Sequence, residues 1–147
     1  MTSDTKAFHA LLRRDLRSFI EKSFHTVVPG VEFLDNWHIA AVAYALERCI
    51  AGDINRLVIS LPPRYMKSLC VAVALPAFLL GRDPTKKIIC ASYSKDLAEK
   101  QASDCQMLIE SDWYRKVFPL TAQSLTKVTQ SEIATNRKPF CLVAISD

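Results

Sequence analysis

The stretch that decides the fold is Arg56-Leu57-Val58-Ile59-Ser60-Leu61-Pro62-Pro63-Arg64-Tyr65-Met66-Lys67-Ser68. Its first six residues form a short apolar run rich in β-branched side chains, and such a run predicts a buried strand. Two consecutive prolines, Pro62 and Pro63, end the run because neither has a backbone N–H to donate to a neighbouring strand. A loop and a new helix are therefore predicted to follow the strand directly.

The residues after this loop continue the alternation of strands and helices. A helix is predicted from Lys67 to Leu80, with a kink at Pro76 and with Gly81 as its C-terminal cap. Residues 87–92 form a second apolar run and predict a second buried strand. Strand, loop, helix and strand make a βαβ unit, which predicts an α/β fold with a parallel sheet flanked by helices.

The loop between the first strand and the helix carries the residues that point to chemistry. Phosphate-binding loops have the pattern G-x-x-x-x-G-K-[ST] between a strand and a helix, and Lys67 and Ser68 fit its last two positions. In that pattern the lysine binds the β- and γ-phosphates of a nucleotide, and the hydroxyl is a ligand of Mg²⁺. Arg64 adds a second cation, whose planar group can bind a phosphate through two hydrogen bonds.

Two residues of the loop depart from the pattern. Leu61 and Met66 occupy its glycine positions, and a positive φ at residue 66 would cost roughly 1–3 kcal/mol more with Met than with Gly. An ordinary helix start is the alternative interpretation of a Lys-Ser pair after two prolines. The candidate nucleotide-binding residues of the loop are Pro63, Arg64, Tyr65, Met66, Lys67 and Ser68.

Two further segments are candidates for the same site. Trp37 and His38 could stack on an adenine base and read it, and the alternative is a helix cap with the Trp packed beneath it. Ser92, Tyr93 and Ser94 follow the second predicted strand, and ligands of open α/β sheets bind beyond the carboxyl ends of strands. The alternative there is a plain N-cap at Ser94.

Three other helices are predicted from apolar residues at helical spacing, over residues 4–24, 36–51 and 95–110. Asp35 or Asn36 is the predicted N-cap of the second helix, and Gly52 follows its end. Ser94 is the predicted N-cap of the third. The pattern weakens afterwards: residues 113–118 fit a helix or a strand, residues 121–139 a polar loop, and residues 140–145 form a final apolar run.

The composition fits one soluble domain. The chain has 147 residues, of which 50% are hydrophobic and 23% charged, and its net charge of +4 permits contact with nucleic acid or nucleotide phosphates. Its longest apolar run, residues 69–80, is too short to cross a bilayer, and no signal peptide is visible. The five cysteines show no CxxC spacing. They are predicted to be core thiols in a reducing compartment, chiefly Cys49, Cys70 and Cys90.

The order of these features resembles the N-terminal ATPase region of the large terminase subunit of tailed bacteriophages and prophages. The resemblance covers roughly residues 30–135. Each matching segment is only weakly specific by itself, and the similarity lies in the order and spacing of the segments together. The matching segments are residues 36–38, 56–68, 75–84, 91–94 and 113–119.

The resemblance implies an α/β P-loop NTPase-like fold and an ATP-driven motor that packages double-stranded DNA into capsids. The implied cofactors are ATP and Mg²⁺, the implied partners are a small terminase subunit and the portal protein, and the implied location is the cytoplasm of a bacterial host. Carried over by position, Lys67 and Arg64 are catalytic and Ser68 is the magnesium ligand. Trp37 and His38 fall in the segment beside the adenine.

The resemblance is incomplete. P-loop ATPases hold Mg²⁺ with acidic residues after a further apolar strand, and the one candidate, residues 142–147, offers a single carboxylate, Asp147. The C-terminal nuclease domain of the family has no counterpart. A truncated subunit that binds ATP at most is therefore expected, and whether the chain is an enzyme stays open. Residues 1–30 are predicted as an N-terminal amphipathic helix, and residues 31–147 as a partial P-loop ATPase domain.

Two other functions stay open at this point. A non-enzymatic remnant of a prophage protein that binds DNA or a packaging partner would use Arg13, Arg14 and Arg17 as a basic face. Its binding would weaken steeply with salt and would survive Lys67→Ala. The second is an unrelated P-loop enzyme, such as a helicase or a kinase. The missing second carboxylate argues equally against that interpretation.

Overall fold

The computed structural model describes residues 3–86, 88–92, 94–129, 132–135 and 141–144, and the surroundings of side chains as far as residue 121. This part of the chain is mostly helical. None of the described helices has both the length and the apolar composition needed to span a bilayer. The helices in chain order are α1 (Ser3–Arg14), α2 (Leu16–Val27), α3 (Trp37–Ala51), a π-helical segment (Leu69–Ala74) that continues into α4 (Leu75–Arg82), α5 (Lys95–Glu110), α6 (Asp112–Val117) and α7 (Pro119–Ser124).

The strands of the described residues are short and occur only in pairs. β1 (Ile88–Ala91) runs parallel to β4 (Cys141–Ala144), and β2 (Leu125–Thr129) runs antiparallel to β3 (Glu132–Thr135). β1 is the one strand whose side chains are described, and most of it is exposed where a buried strand was predicted. Among the described residues no sheet has more than two strands.

The predicted α/β fold with a P-loop-type parallel sheet is therefore wrong for the described part of the chain. Residues 56–61 belong to no strand, so the predicted βαβ unit is absent. Leu57, Ile59 and Leu61 pack against the core, whereas Val58 between them is 93% exposed. A strand forms only when its N–H and C=O groups pair with a neighbour, and no described residue pairs with this backbone.

The N-terminal segment forms two helices where one was predicted. The division falls at Asp15, whose carboxylate accepts a hydrogen bond from Ser18 N at 2.7 Å and so caps α2. The start of α2 is also tied to α3, because Leu16 N donates to Glu47 Oε1 at 2.9 Å. The two helices bury separate apolar faces, with Leu12 of α1 and Phe19 of α2 both in the core.

The helices α3 and α5 confirm the predictions made from their caps. Asn36 is the N-cap of α3 and accepts a hydrogen bond from Trp37 N, and Gly52 ends the helix with a left-handed φ of 89°. α5 begins after Ser94 as predicted, although the Ser94 hydroxyl makes no capping hydrogen bond. Local capping chemistry therefore accounts for both ends of α3.

The most buried element is the loop helix, the name used here for helical residues 67–68, the π-helical segment and α4 together. Every residue from Ala72 to Leu80 is buried. Pro76 lies inside this helix, where it has no N–H to donate and its ring crowds the carbonyl one turn earlier. The chain accommodates it with a widened turn in which Leu75 N donates to Cys70 O, so a π-helical segment stands near the predicted kink.

Gly81 does not cap the loop helix, and the prediction that it does is wrong. The helix continues through Arg82 and ends at Asp83. Gly81 is buried, and a Cβ on it would lie 2.6 Å from ring carbons of Phe118. Close packing against this ring, and not the end of a helix, explains the glycine.

The core is organised around the ring of Phe19. This ring meets four others edge-on, at centroid distances of 5.3 Å to Phe78, 5.5 Å to Trp113, 6.0 Å to Phe118 and 6.2 Å to Tyr114. The Tyr114 hydroxyl donates to Ala77 O of the loop helix at 2.7 Å, and burial raises the pKa of this tyrosine well above its usual range. α2 and α6 thus both contact the loop helix at Ala77 and Phe78, and they contact each other through the Phe19 ring.

The cysteines divide into buried and exposed ones, and the described ones are free thiols. Burial raises the pKa of Cys70 and of Cys105 to about 12 in each case. Cys49 is half-buried, and burial raises its pKa as well. Cys90, on β1, is exposed, so its prediction as a core thiol is wrong.

Candidate functional site

The loop of residues 62–66 precedes the loop helix and has a backbone conformation unusual for its residues. Arg64 (φ 70°) and Met66 (φ 58°) both lie in the left-handed region, which residues other than glycine seldom adopt. Each such residue costs of order 1–3 kcal/mol and persists only where its surroundings enforce it. Met66 stands where the phosphate-loop pattern has glycine. The backbone there has the positive φ for which the pattern reserves that residue.

This backbone geometry suits the binding of negative charge at the start of the loop helix. Lys67 and Ser68 are the first helical residues, and the first amides of a helix form the positive end of its dipole. Backbone N–H groups beside a left-handed residue form a concave nest, as they do in phosphate loops. Pro62 and Pro63 are exposed and contribute no N–H to such a nest.

The cations and the hydroxyl of the predicted site lie in this short segment. Arg64 is exposed, whereas Lys67 and Ser68 are half-buried, and Lys67 already has an interaction within the chain. An exposed arginine can turn toward an incoming phosphate, and its fork matches two phosphate oxygens. The segment therefore offers two positive side chains on either side of Met66.

The structure brings the predicted adenine segment against the loop. The rings of His38 and Tyr65 meet edge-on with centroids 5.1 Å apart, and the Trp37 ring beside them is 78% exposed. The alternative in which Trp37 packs beneath a helix cap is therefore wrong. His38 Nε2 is buried and has no hydrogen-bond partner among the described residues, which leaves a polar atom unsatisfied beside the loop.

The residues present fit a magnesium ion only as part of a nucleotide complex. No group of three or more His, Cys, Asp or Glu side chains in the described part of the chain could hold a metal ion. The Ser68 side chain makes no capping hydrogen bond and is half-buried. Mg²⁺ commonly takes one or two protein ligands and completes its shell with phosphate oxygens and water. Ser68 therefore suits a Mg²⁺ ion that a bound nucleotide also coordinates. Asp147, the predicted acidic candidate, lies outside the described residues.

The segment after β1 makes a smaller contribution than predicted. Ser92 and Ser94 are half-buried, and Ser94 O accepts the first helical bond of α5, from Ala98 N at 3.0 Å. Tyr93 lies outside the described residues. No described hydrogen bond joins Ser92 or Ser94 to the loop, so the plain start of a helix accounts for them.

A cavity of about 240 Å³ borders the loop, and sequence reasoning did not find it. Met66 and Ser68 line it together with three polar side chains of α5, Lys100, Gln101 and Asp104. Residues three and four apart are neighbours on a helix surface, so the spacing alone indicated that Asp104 lies beside both Lys100 and Gln101. No signal in the sequence indicated that this face meets the loop helix.

Two of the three arginines of the basic face predicted on the N-terminal helices bind other residues of the protein. Arg13 Nε donates to Val117 O at 2.7 Å, and Arg17 forms an ion pair with Asp35. Arg14 is exposed. The pKa of His9 is lowered by burial and by the positive charges of Arg13 and Lys116, so the contact between α1 and α6 has a positive local potential.

Comparisons with protein-family models, with curated proteins and with solved structures find no match for this chain. The terminase resemblance therefore rests on the order of its sequence segments alone. The geometry described above is an independent observation, because it comes from the backbone of the loop and from the contacts around it.

Proposed function

We propose that the chain binds the phosphates of ATP at residues 63–68, as part of the ATPase region of a phage or prophage terminase large subunit. The observation that carries the proposal is the left-handed backbone of Met66 directly before Lys67. Such a conformation costs free energy at a non-glycine residue and is characteristic of functional sites, where backbone N–H groups converge on a ligand. The proposal rests on this loop and on the order of the segments, and it requires no parallel sheet.

In this proposal each polar residue of the loop has a separate role. Lys67 binds the β- and γ-phosphates, and the exposed Arg64 closes over the γ-phosphate as a second cation. Ser68 is the ligand of the Mg²⁺ that accompanies the nucleotide. The backbone of Pro63, Tyr65 and Met66 forms the wall of the loop.

The aromatic residues beside the loop suit the base. The exposed ring of Trp37 offers a stacking face, and the buried His38 Nε2 is a polar atom that can hydrogen-bond a base edge. The contact between His38 and Tyr65 links this end of the site to the phosphate end.

Binding without efficient hydrolysis is the proposed activity. Hydrolysis needs carboxylates that hold Mg²⁺ and orient water. Among the described residues, no group of three or more His, Cys, Asp or Glu side chains could hold a metal ion. Double-stranded DNA, a small terminase subunit and the portal protein are the proposed partners in the cytoplasm of a bacterial host. A role in ATP-driven packaging would require further residues to complete the catalytic site.

Titration of the chain with a fluorescent ATP analogue in the presence of Mg²⁺ tests the proposal. Lys67→Ala is expected to weaken binding by about tenfold or more, because a charge-assisted hydrogen bond to phosphate contributes roughly 1.5–3 kcal/mol. Lys95→Ala is the matched control, since Lys95 is exposed at the start of α5 and, within the described part of the chain, forms an ion pair with Glu99. Equal affinities of the two variants would contradict the proposal.

A second variant tests the backbone of the loop. Met66→Gly removes a side chain and keeps the left-handed conformation without steric cost, so ATP binding at least as tight as that of the unmodified chain is expected. An ordinary helix start, the alternative interpretation, predicts that neither Lys67→Ala nor Met66→Gly changes ATP binding. The non-enzymatic alternative predicts salt-sensitive DNA binding that survives Lys67→Ala.

A further inference from the structure

The cavity beside the loop has mostly apolar walls. The end of α2, the loop helix and α5 line a partly open cavity of about 240 Å³, whose apolar walls come from Phe24, Val27, Val28, Leu69, Val73 and Leu97. An engineered apolar cavity of about 150 Å³ is known to hold benzene. The volume here therefore has room for a single aromatic ring that carries a substituent.

One wall of the cavity carries a polar side chain that lacks a partner. Gln101 lines the cavity and is 5% exposed, and its Nε2 is buried without a hydrogen bond in the described part of the chain. Buried amide groups are nearly always paired in folded proteins, by protein, water or ligand. Gln106, five residues later on the same helix, shows the ordinary case, because its Nε2 donates to Glu110 Oε1 at 3.0 Å.

The charges at the cavity compensate each other. Lys100 Nζ and Asp104 Oδ2 lie 2.5 Å apart, one turn from each other on α5. Lys100 and Asp104 are the charged residues of the lining, and each neutralises the other. A charged occupant would therefore be buried without an opposite charge to pair with. The lining thus favours a neutral occupant that is apolar and accepts one hydrogen bond.

We propose that this cavity is a binding site for a small neutral molecule with an apolar ring and one carbonyl-type acceptor. The ring lies against the apolar walls, and the acceptor receives a hydrogen bond from Gln101 Nε2. Met66 and Ser68 form part of the same wall, so the occupant also contacts the start of the loop helix. The site shares Met66 and Ser68 with the proposed phosphate loop, but binding there requires no nucleotide and is expected whether or not the loop binds phosphate.

Two probes of nearly equal shape test the proposal with the full chain. Acetophenone has a ring and a carbonyl acceptor, and α-methylstyrene replaces that carbonyl by a group that accepts no hydrogen bond. Titration followed by ¹H–¹⁵N NMR is expected to show saturable binding of acetophenone and a shift of the Gln101 side-chain amide signals. α-Methylstyrene is expected to bind without that amide shift.

Variants of α5 separate the hydrogen bond from the apolar contact. Gln101→Leu is expected to weaken acetophenone binding by about tenfold and to leave α-methylstyrene binding undiminished, because only one probe loses a hydrogen bond. Gln106→Leu, the matched control on the same helix, is expected to change neither affinity. Leu97→Trp fills the cavity and is expected to abolish the binding of both probes.

Several outcomes would overturn the proposal. They are the absence of saturable acetophenone binding to the unmodified chain, shifts confined to residues outside the cavity, and acetophenone binding to Gln101→Leu with unchanged affinity. The Gln101 amide shift is measured on the unmodified chain, so the proposal stays testable even if a variant fails to fold.

Discussion

Residues 56–61 and residues 69–80 are both apolar in sequence, yet they have opposite environments in the structure. In the loop helix every residue from Ala72 to Leu80 is buried. In the extended segment only alternate side chains pack against the core, and Val58 is 93% exposed. The difference follows from backbone hydrogen bonding, because a helix pairs its own N–H and C=O groups whereas a strand depends on a neighbour.

This comparison shows what decides the burial of an apolar run. The loop helix satisfies its backbone internally, so it can lie in the core, packed against α2 and α5, without leaving polar groups unpaired. The extended segment has no described backbone partner, and it therefore remains at the surface, where water can satisfy its amides. Four experiments test this contrast, from the largest expected effect to the smallest.

Truncation of the central ring of the loop helix is expected to have the largest effect. Phe78 is fully buried and packs edge-on against Phe19, so Phe78→Ala should lower the free energy of unfolding by about 3–5 kcal/mol in urea denaturation. Val58→Ala in the extended segment is the control, with an expected change within about 0.5 kcal/mol. Similar losses for both variants would show that the two segments are equally packed.

The thiols Cys70 and Cys90 compare the loop helix with β1 directly. Burial raises the pKa of Cys70 to about 12, while Cys90 is exposed. Since the thiolate is the reactive form, Cys90 should be alkylated at least ~100-fold faster at pH 8, as measured for each cysteine by peptide mass spectrometry. Labelling in urea should remove the difference. Comparable rates in the folded protein would contradict the burial of the loop helix.

Gly81 tests how closely the loop helix packs. Gly81→Ala would place a Cβ 2.6 Å from the Phe118 ring and should lower the free energy of unfolding by about 1–3 kcal/mol. In a Phe118→Leu background the smaller side chain should make this cost smaller, which a double-mutant cycle measures. Independent, additive effects would instead support the cap that the sequence predicted for Gly81.

Tyr114 is expected to give the smallest of the four effects. Tyr114→Phe removes the hydrogen bond to Ala77 O and should cost about 1 kcal/mol near neutral pH. Burial raises the pKa of Tyr114 in the folded state, so above pH ~10 the unfolded chain releases this proton and the folded chain keeps it. Stability should therefore fall more steeply with rising pH in the unmodified chain than in the variant. Parallel pH profiles in thermal melts would contradict this.

The predictions that succeeded depended on local backbone chemistry. Asn36 and Gly52 mark the two ends of α3 because a side-chain acceptor and a left-handed glycine act within one turn of the chain. Ser94 marks the start of α5 as predicted, although its hydroxyl makes no capping hydrogen bond. The positive φ of Met66 was not itself predicted: the loop pattern has glycine at this position, and the methionine was counted as a departure with a steric cost.

The predictions that failed depended on contacts distant in sequence. Gly81 has the composition of a helix cap, but its role is set by a ring 37 positions later, Phe118. Cys90 has apolar neighbours in sequence, yet β1 leaves it exposed. The side chain of Gln101 is buried at the cavity, because α5 places that face against the loop helix. None of these facts follows from spacing or composition.

The sequence by itself determined the positions of α3 and α5, the loop before Lys67 and the residues from which a phosphate site is proposed. These are features whose energetics act within a few residues. Only the tertiary structure decided that no described residue pairs with the backbone of residues 56–61, that the loop helix occupies the core, and that His38 meets Tyr65. The physical reason is that strand pairing, ring packing and cavity formation each need a partner far away in the sequence. The residues next to a segment do not determine which partner that is.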